Sequence, residues 1–136
     1  MTPDNEFWRL TWQMWMQARQ VLAGALAPLD LQPREFWLMT VMREAPRPQR
    51  DLAALCGLDP STLVPILDGM ERRGWIERRR HPRDRRAHLV ALTRAGSALL
   101  RRARPIALRV QAEQMHPLTA NERARIVALL RKLVHG

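Results

Sequence analysis

Apolar residues recur at helical spacing near the start of the chain. Between residues 6 and 27, Phe7, Leu10, Met14 and Val21 fall on one side of a predicted helix. Apolar residues also follow a second side, which indicates burial from two directions. One face can pack on the chain's own core, and the other needs a second subunit or a ligand. The second stripe consists of Trp8, Trp12, Trp15 and Arg19.

Helical spacing continues along most of the remaining chain, punctuated by proline, glycine and capping residues. Pro33 suits the first turn of a helix, and Gly57 suits the position just after one. Thr93 is a candidate cap for a long helix, and Thr119 with Glu122 has the pattern of a capping box. These signals predict helices at about residues 33–44, 48–56, 59–73, 94–115 and 120–134.

The period changes between residues 75 and 92, where two short segments have the composition of strands. Residues 75–79 and 86–92 are the predicted strands, and the basic segment 81–85 is the turn between them. A helix pair followed by this hairpin is the element order of a winged helix. The sequence therefore predicts a mainly α fold with a small β-hairpin wing, flanked by N- and C-terminal helices.

The two short helices on either side of Gly57 are a candidate helix-turn-helix. In such a unit the second helix places its first residues in the major groove of DNA, while the first helix lies across the backbone. The exposed start of that second helix offers Ser61, Thr62 and Pro65, and the two hydroxyls can bond to base edges or phosphates. The alternative is that Asp59 and Ser61 are ordinary helix caps.

Charge strengthens the nucleic-acid interpretation. Lys and Arg total 23 against 13 Asp and Glu, for a net charge of +10. Residues 1–45 carry a net charge of −1, residues 46–96 carry +5, and residues 97–136 carry +6. A neutral first third and a basic remainder fit a polyanion partner. The alternative is a solvated, arginine-rich surface.

The predicted hairpin turn holds the densest charge. Guanidinium groups suit phosphates and narrow minor grooves, and such a density repels itself unless an anion neutralises it. Asp84 precedes Arg86 by two residues, a spacing that can hold an arginine in one rotamer. The alternative is a weak surface ion pair. The arginines of this segment are Arg78, Arg79, Arg80, Arg83, Arg85 and Arg86.

These motifs together resemble the MarR family of bacterial transcription regulators, with the SlyA-like branch nearest. The wing pattern is Asp84-x-Arg86-x5-Leu92-Thr93-x2-Gly96. Upstream, the resemblance includes Leu29-Asp30-Leu31, Asp51-Leu52-Ala53, Gly57-Leu58, Pro60-Ser61-Thr62-Leu63-Val64, Leu67-Asp68 and Glu71-Arg72-Arg73-Gly74.

The resemblance implies one MarR-type domain over residues 1–136, with a DNA-binding lobe at 33–96 and dimerisation helices at 6–28 and 97–134. A homodimer would read a near-palindromic operator in double-stranded DNA, and members typically repress transcription. Many members release DNA on binding small aromatic anions. Ser61 and Thr62 would face bases, Arg86 oriented by Asp84 would enter the minor groove, and Arg80, Arg83 and Arg85 would contact phosphates.

Three positions depart from the family pattern. Pro65 stands where SlyA-like members often carry a base-reading arginine, and Gly69 stands where an arginine or glutamine is usual. Pro65 lies near the end of the first helical turn, where proline removes at most one hydrogen bond. Cys56 occupies a core leucine position, which favours packing over peroxide sensing.

The remaining chemistry is sparse. None of the four histidines has a partner at metal-ligand spacing, and no catalytic arrangement or phosphate loop is evident, so we expect neither metal, cofactor nor enzymatic activity. A single cysteine, no signal peptide and no membrane span favour a cytoplasmic protein. A module that binds RNA or protein is the alternative function. A candidate ligand cleft, which could equally be core or dimer interface, comprises Trp12, Trp15, Met16, Arg19 and Trp37.

Overall fold

The computed structural model describes residues 3–136, which form helices and one small antiparallel sheet. The predicted fold class is confirmed, and most predicted boundaries lie within a few residues of the observed ones. In chain order the elements are α1 (Pro3–Leu26), a 3-10 turn (Ala27–Leu29), α2 (Pro33–Val41), β1 (Arg47–Pro48), α3 (Gln49–Leu55), α4 (Pro60–Arg72), β2 (Ile76–Arg80), β3 (His88–Leu92), α5 (Arg94–Gln114) and α6 (Ala120–His135).

The segment between α2 and α3 differs from the prediction. Helix α2 ends at Val41 rather than near residue 44, and Met42 is its C-cap residue. Pro48, predicted to begin the third helix, instead ends the two-residue strand β1. Strand β1 pairs antiparallel with β3, Arg47 opposite Val90, and lies at the sheet edge, where a proline is tolerated.

The sheet order is β1-β3-β2, so β3 is the central strand. The predicted hairpin is formed by β2 and β3, with Ile76 opposite Leu92 and Arg80 opposite His88. Because side chains alternate across a strand, Ile76 and Arg78 share one face of β2. Ile76 is buried, so this inner face is directed towards the helices.

The hydrophobic core lies where α2, α3, α4, the sheet and α5 meet. From α1 only its last turns reach this core, and α6 contributes no buried residue. The expectation that one face of α1 packs on the chain's own core is met only from Leu22 onwards. The largest fully buried side chains are Leu26, Leu38, Met39, Leu52, Leu63, Leu67, Met70, Ile76 and Val90.

One buried carboxylate ties α2 to the end of α4. Glu35 is 4% exposed and accepts a 2.9 Å hydrogen bond from the backbone N–H of Gln32. Its other oxygen lies 3.0 Å from the guanidinium of Arg73. Arg73 also donates to the carbonyl of Asp30 at 3.0 Å and stacks 4.4 Å above the ring of Trp75. The arginine therefore joins the α1–α2 corner, the end of α4 and the root of the wing.

The helix caps predicted at Thr93 and Thr119 are confirmed. The Thr93 hydroxyl accepts from the N–H of Gly96 at 3.0 Å and donates to the carbonyl of Gly74, which joins α5 to the wing root. Thr119 and Glu122 form the reciprocal capping box of α6. Hydrogen bonds from Thr119 lower the pKa of Glu122 below its ordinary value. Gly57, with φ of 61°, adopts the left-handed conformation expected just after α3.

Candidate nucleic-acid interface

The start of α4 is exposed and points away from the core. Leu63, Leu67 and Met70 are buried on one side of the helix, whereas Ser61 and Thr62 are exposed on the other. Asp59 is the N-cap residue, but its carboxylate bonds to no backbone N–H and instead accepts from the Ser61 hydroxyl. The carbonyl of Asp59 closes the first turn by accepting from the N–H groups of Thr62 and Leu63.

Pro65 is exposed and is the sixth residue of α4, just beyond the first turn in which it was predicted. Proline has no N–H, so the carbonyl of Ser61 lacks the donor that an α-helix normally supplies four residues later. Compared with the arginine that SlyA-like members often carry here, Pro65 therefore lacks a side chain that could reach a base, and it leaves the Ser61 carbonyl without its helical donor.

The wing tip (residues 81–87) is an ordered turn. The N–H of His81 donates to the carbonyl of Ala87, and the N–H of Ala87 donates to the carbonyl of Asp84, both at 3.2 Å. The ring Nδ1 of His81 accepts from the backbone N–H of Arg83 at 3.1 Å. These bonds fix the backbone from which the tip side chains project.

Asp84 acts on the wing tip in a way that differs from the expectation. Its carboxylate accepts a 3.0 Å hydrogen bond from the backbone N–H of Arg86. Among the side chains that the structure describes, no ion pair joins Asp84 to the Arg86 guanidinium. The expectation that Asp84 holds the guanidinium in one rotamer is therefore wrong for this structure, since the carboxylate orders the backbone instead.

The arginines of the hairpin divide into two groups. Arg78 and Arg79 have acidic partners, Asp68 with Glu71 for the former and Glu77 for the latter. The other four are exposed, and none forms an ion pair with a described side chain. These four, called the tip arginines from here on, are Arg80, Arg83, Arg85 and Arg86.

A cleft brings the start of α4 and the wing tip together. It has a volume of about 510 Å3 and opens between α3, α4 and the hairpin. Arg50, on the exposed surface of α3, adds a cation that the sequence did not single out. Its nearest acid is Asp51, at 3.9 Å, and both side chains are well exposed, so this pair is weak. The walls of the cleft include Pro48, Gln49, Arg50, Pro60, Asp84 and Arg86.

Four residues of the predicted ligand cleft, Trp12, Trp15, Met16 and Arg19, form an exposed stripe on α1 rather than the wall of an enclosed cavity. Trp12 and Trp15 pack with ring centroids 5.8 Å apart, and the Arg19 guanidinium lies 5.5 Å from the Trp15 ring. Met16 is exposed beside them on α1. Trp37 lies on α2, where its ring is 5.4 Å from that of Phe36, and its side chain is 55% exposed.

Two further properties concern metals and membranes. Within the described residues, no group of three or more His, Cys, Asp or Glu side chains could hold a metal ion. In the same part of the chain, no helix is both long and apolar enough to cross a bilayer.

Burial raises the pKa of the Cys56 thiol above its ordinary value, as expected for a cysteine that packs against the core.

Comparisons with known proteins agree with this geometry, which is that of a winged helix-turn-helix. The model of the MarR family matches residues 34–88. A mutant MarR from E. coli, complexed with operator DNA, is 28% identical with a TM-score of 0.85, and the match covers 98% of this chain and 99% of that one. A probable transcriptional regulator from Pseudomonas aeruginosa is 25% identical with a TM-score of 0.85, covering 97% and 99%.

A third structure extends the similarity in fold. A MarR family transcriptional regulator from Rhodococcus sp. RHA1 is 24% identical with a TM-score of 0.91, covering 98% of this chain and 95% of that one. The chain is therefore similar to MarR family regulators over residues 34–88, and it shares the winged-helix fold of all three structures.

Proposed function

We propose that this protein is a homodimer that binds a near-palindromic operator in double-stranded DNA and represses transcription in the cytoplasm. The observation that carries the proposal is the cleft that places the exposed start of α4 beside Arg86. An α-helix start reads bases in the major groove, and arginine is suited to the adjacent minor groove. One surface of the lobe, residues 33–96, can therefore contact both grooves.

Each residue of this surface has a role that follows from its place. Ser61 and Thr62 are exposed at the start of α4, where their hydroxyls can reach base edges. The exposed Pro65 offers apolar contact, and the nearby carbonyl of Ser61 lacks the N–H donor that another residue at position 65 would supply. Asp84 orders the tip backbone from which Arg86 enters the minor groove. The three cations that we assign to flanking phosphates are Arg80, Arg83 and Arg85.

The dimer is supported by apolar surface that the single chain leaves exposed. On α1, Trp8 is 72% and Trp12 is 64% exposed, and on α6, Leu133 is 68% exposed. Soluble proteins rarely leave contiguous apolar patches of this kind uncovered unless they form an interface. We assign the helices at 6–28 and 97–134 to a two-fold frame that presents two copies of α4 to successive half-sites.

Two finer assignments complete the proposal. The segments Leu29-Asp30-Leu31 and Pro60-Ser61-Thr62-Leu63-Val64 favour the SlyA-like branch of the family. The aromatic stripe with Arg19 favours release of DNA by a small aromatic anion, since rings stack on tryptophan and guanidinium binds carboxylates.

The DNA-binding part of the proposal is tested with a matched pair of arginine substitutions. The preferred duplex is first selected from a randomised pool, and its affinity is then measured by fluorescence anisotropy over a range of salt. We expect Arg86→Ala to weaken operator binding by about 1–3 kcal/mol and to reduce the salt slope by about one. Arg79→Ala, which removes a cation already paired with Glu77, should change both much less. Equal effects of the two substitutions would remove the wing tip from the mechanism.

The dimer is tested on α6. Deletion of residues 119–136 should leave a monomer in sedimentation experiments. Because such a deletion can also disturb folding, Leu133→Asp provides a second test on the exposed apolar side of α6. Ala128→Asp, on the opposite side, is the control and should remain a dimer. A folded Leu133→Asp variant that still sediments as a dimer contradicts the proposed frame.

A further inference from the structure

We propose that Arg78 is a positioning residue that fixes the wing relative to α4 and thereby sets DNA specificity without contacting DNA. This inference rests on the proposed function. Arg78 belongs by sequence to the basic hairpin, but its side chain is only 18% exposed, whereas the tip arginines are exposed. The structure places it behind the DNA-facing surface, between the sheet and the helices.

Each of the three guanidinium nitrogens of Arg78 donates to a different neighbour. It donates to Asp68 Oδ1 at 2.8 Å, to Glu71 Oε1 at 3.0 Å and to Gln49 Oε1 at 3.2 Å. The backbone N–H of Arg78 donates to the second oxygen of Glu71 at 3.2 Å. One residue of β2 therefore bonds to α4 twice through side chains, to α4 again through its backbone, and to the start of α3.

The strand register explains why this arginine, and not its neighbours, reaches the helices. Arg78 shares the inner face of β2 with the buried Ile76, whereas Arg79 lies on the outer face with Glu77. Asp68 and Glu71 are three residues apart on α4, so their carboxylates lie on one side of that helix. The sheet face and the helix face meet, and the fork of Arg78 fits between the two carboxylates.

The fork matters more than the charge at this position. A guanidinium holds several acceptors in a fixed plane, whereas a lysine ammonium is a point charge on a flexible stem. Because the acids are about half exposed, the network contributes modestly to global stability. Its effect is on orientation: it sets the angle at which the wing tip stands from α4. That angle decides whether Arg86 and the start of α4 can reach both grooves at once.

The two carboxylates give the inference a sharp electrostatic test. Asp68 and Glu71 are negative charges on the helix that faces DNA. Considered as charges alone, their removal would strengthen binding to any duplex. If they hold Arg78 in place, their removal should weaken binding to the operator while binding to random duplex becomes stronger. The two explanations therefore predict opposite signs for the same substitutions.

The experiment compares Arg78→Lys and the double variant Asp68→Asn/Glu71→Gln with the control Arg79→Lys. Affinities for the selected operator and for a random duplex are measured by anisotropy over a range of salt, after circular dichroism has shown that each variant is folded. We expect both network variants to lower the operator-to-random affinity ratio by about tenfold, with the salt slope of Arg78→Lys unchanged. The control should keep the ratio of the unmodified protein. Glu71→Gln alone is the substitute if the double variant does not fold.

Two results would overturn the inference. One is a ratio for Arg78→Lys that equals that of the unmodified protein. The other is operator binding by Asp68→Asn/Glu71→Gln that is stronger than that of the unmodified protein, which would show that the two carboxylates act as charges alone. A failure of the proposed function is separate, because the unmodified protein itself would then show no preference for any duplex.

Discussion

Gly96 provides the sharpest test of the packing, because its neighbour is backbone that cannot move cheaply. It lies in the first turn of α5, directly against the wing root. A Cβ at this position would lie 2.9 Å from the carbonyl carbon of Trp75, 3.2 Å from its Cα, and closer still to its carbonyl oxygen. Carbon atoms in contact are normally about 3.5–4.0 Å apart. The substitution Gly96→Ala must therefore separate α5 from the wing root.

The cost can be estimated from the contacts that this separation disrupts. The Trp75 carbonyl accepts from the N–H of Thr93 at 3.0 Å, and a separation of about 1 Å takes this bond beyond hydrogen-bonding distance. Its loss costs about 1 kcal/mol, and overpacking costs about 1–3 kcal/mol. The better helix propensity of alanine offsets about 1 kcal/mol. We expect Gly96→Ala to lower the free energy of unfolding by about 1–3 kcal/mol.

Gly69→Ala is the matched control, since it makes the same chemical change in another helix. A Cβ there would meet only the ends of the Arg72 and Arg73 side chains, at 3.8 and 3.9 Å, which is ordinary contact. We expect this variant to gain about 0.5–1 kcal/mol. Both are measured by urea unfolding followed by circular dichroism, with the urea dependence unchanged. A Gly96→Ala variant as stable as the unmodified protein would refute the close approach of α5 to the wing root.

Three further predictions concern single residues. Glu35→Ala leaves Arg73 without its buried partner and should lower the free energy of unfolding in urea by about 2–4 kcal/mol. Glu35→Gln can still accept from the Gln32 N–H and should lower it less. Equal losses would argue against a contribution from the charge. Pro65→Arg should tighten operator binding and change the preferred base at one operator position. The control Pro65→Ala should restore only the backbone N–H of the helix and leave the preferred bases unchanged. Identical selected sites for Pro65→Arg and the unmodified protein would contradict a base contact at this position. Because burial raises the pKa of Cys56, its thiol should react with iodoacetamide more slowly at neutral pH than in the urea-unfolded chain, and equal rates would show an accessible thiolate.

The long helices and the hairpin could be predicted because their signals are local. Helical spacing, the capping pairs at Thr93 and Thr119, and the turn glycine Gly57 all act within a few residues. Strand β1 could not be predicted, because two residues carry no period and its partner lies far along the chain. Its proline resembles a helix start, and only pairing with β3 distinguishes the two.

The candidate site was predictable in outline but not in its internal contacts. The density of arginines identified the hairpin as the basic element, but composition cannot separate charges that face solvent from charges that face the core. The signal for Arg78 was present, since it lies two residues after Ile76 on a predicted strand. The role of Asp84 was open for a different reason: a carboxylate two residues before an arginine can bond to either the side chain or the backbone of that arginine, and the turn conformation decides which.

The width of the sheet has a consequence for protein engineering. Strand β1 pairs with β3 only at Leu89 and Val90, so the sheet is three strands wide at the middle of the hairpin, and the wing tip at residues 81–87 projects beyond all three strands. The end of the hairpin is thus held by its own local bonds, and the base is held by the rest of the lobe. Hairpin ends of other length or composition should be exchangeable onto this base as cassettes, altering the DNA preference of one groove while the frame beneath is retained.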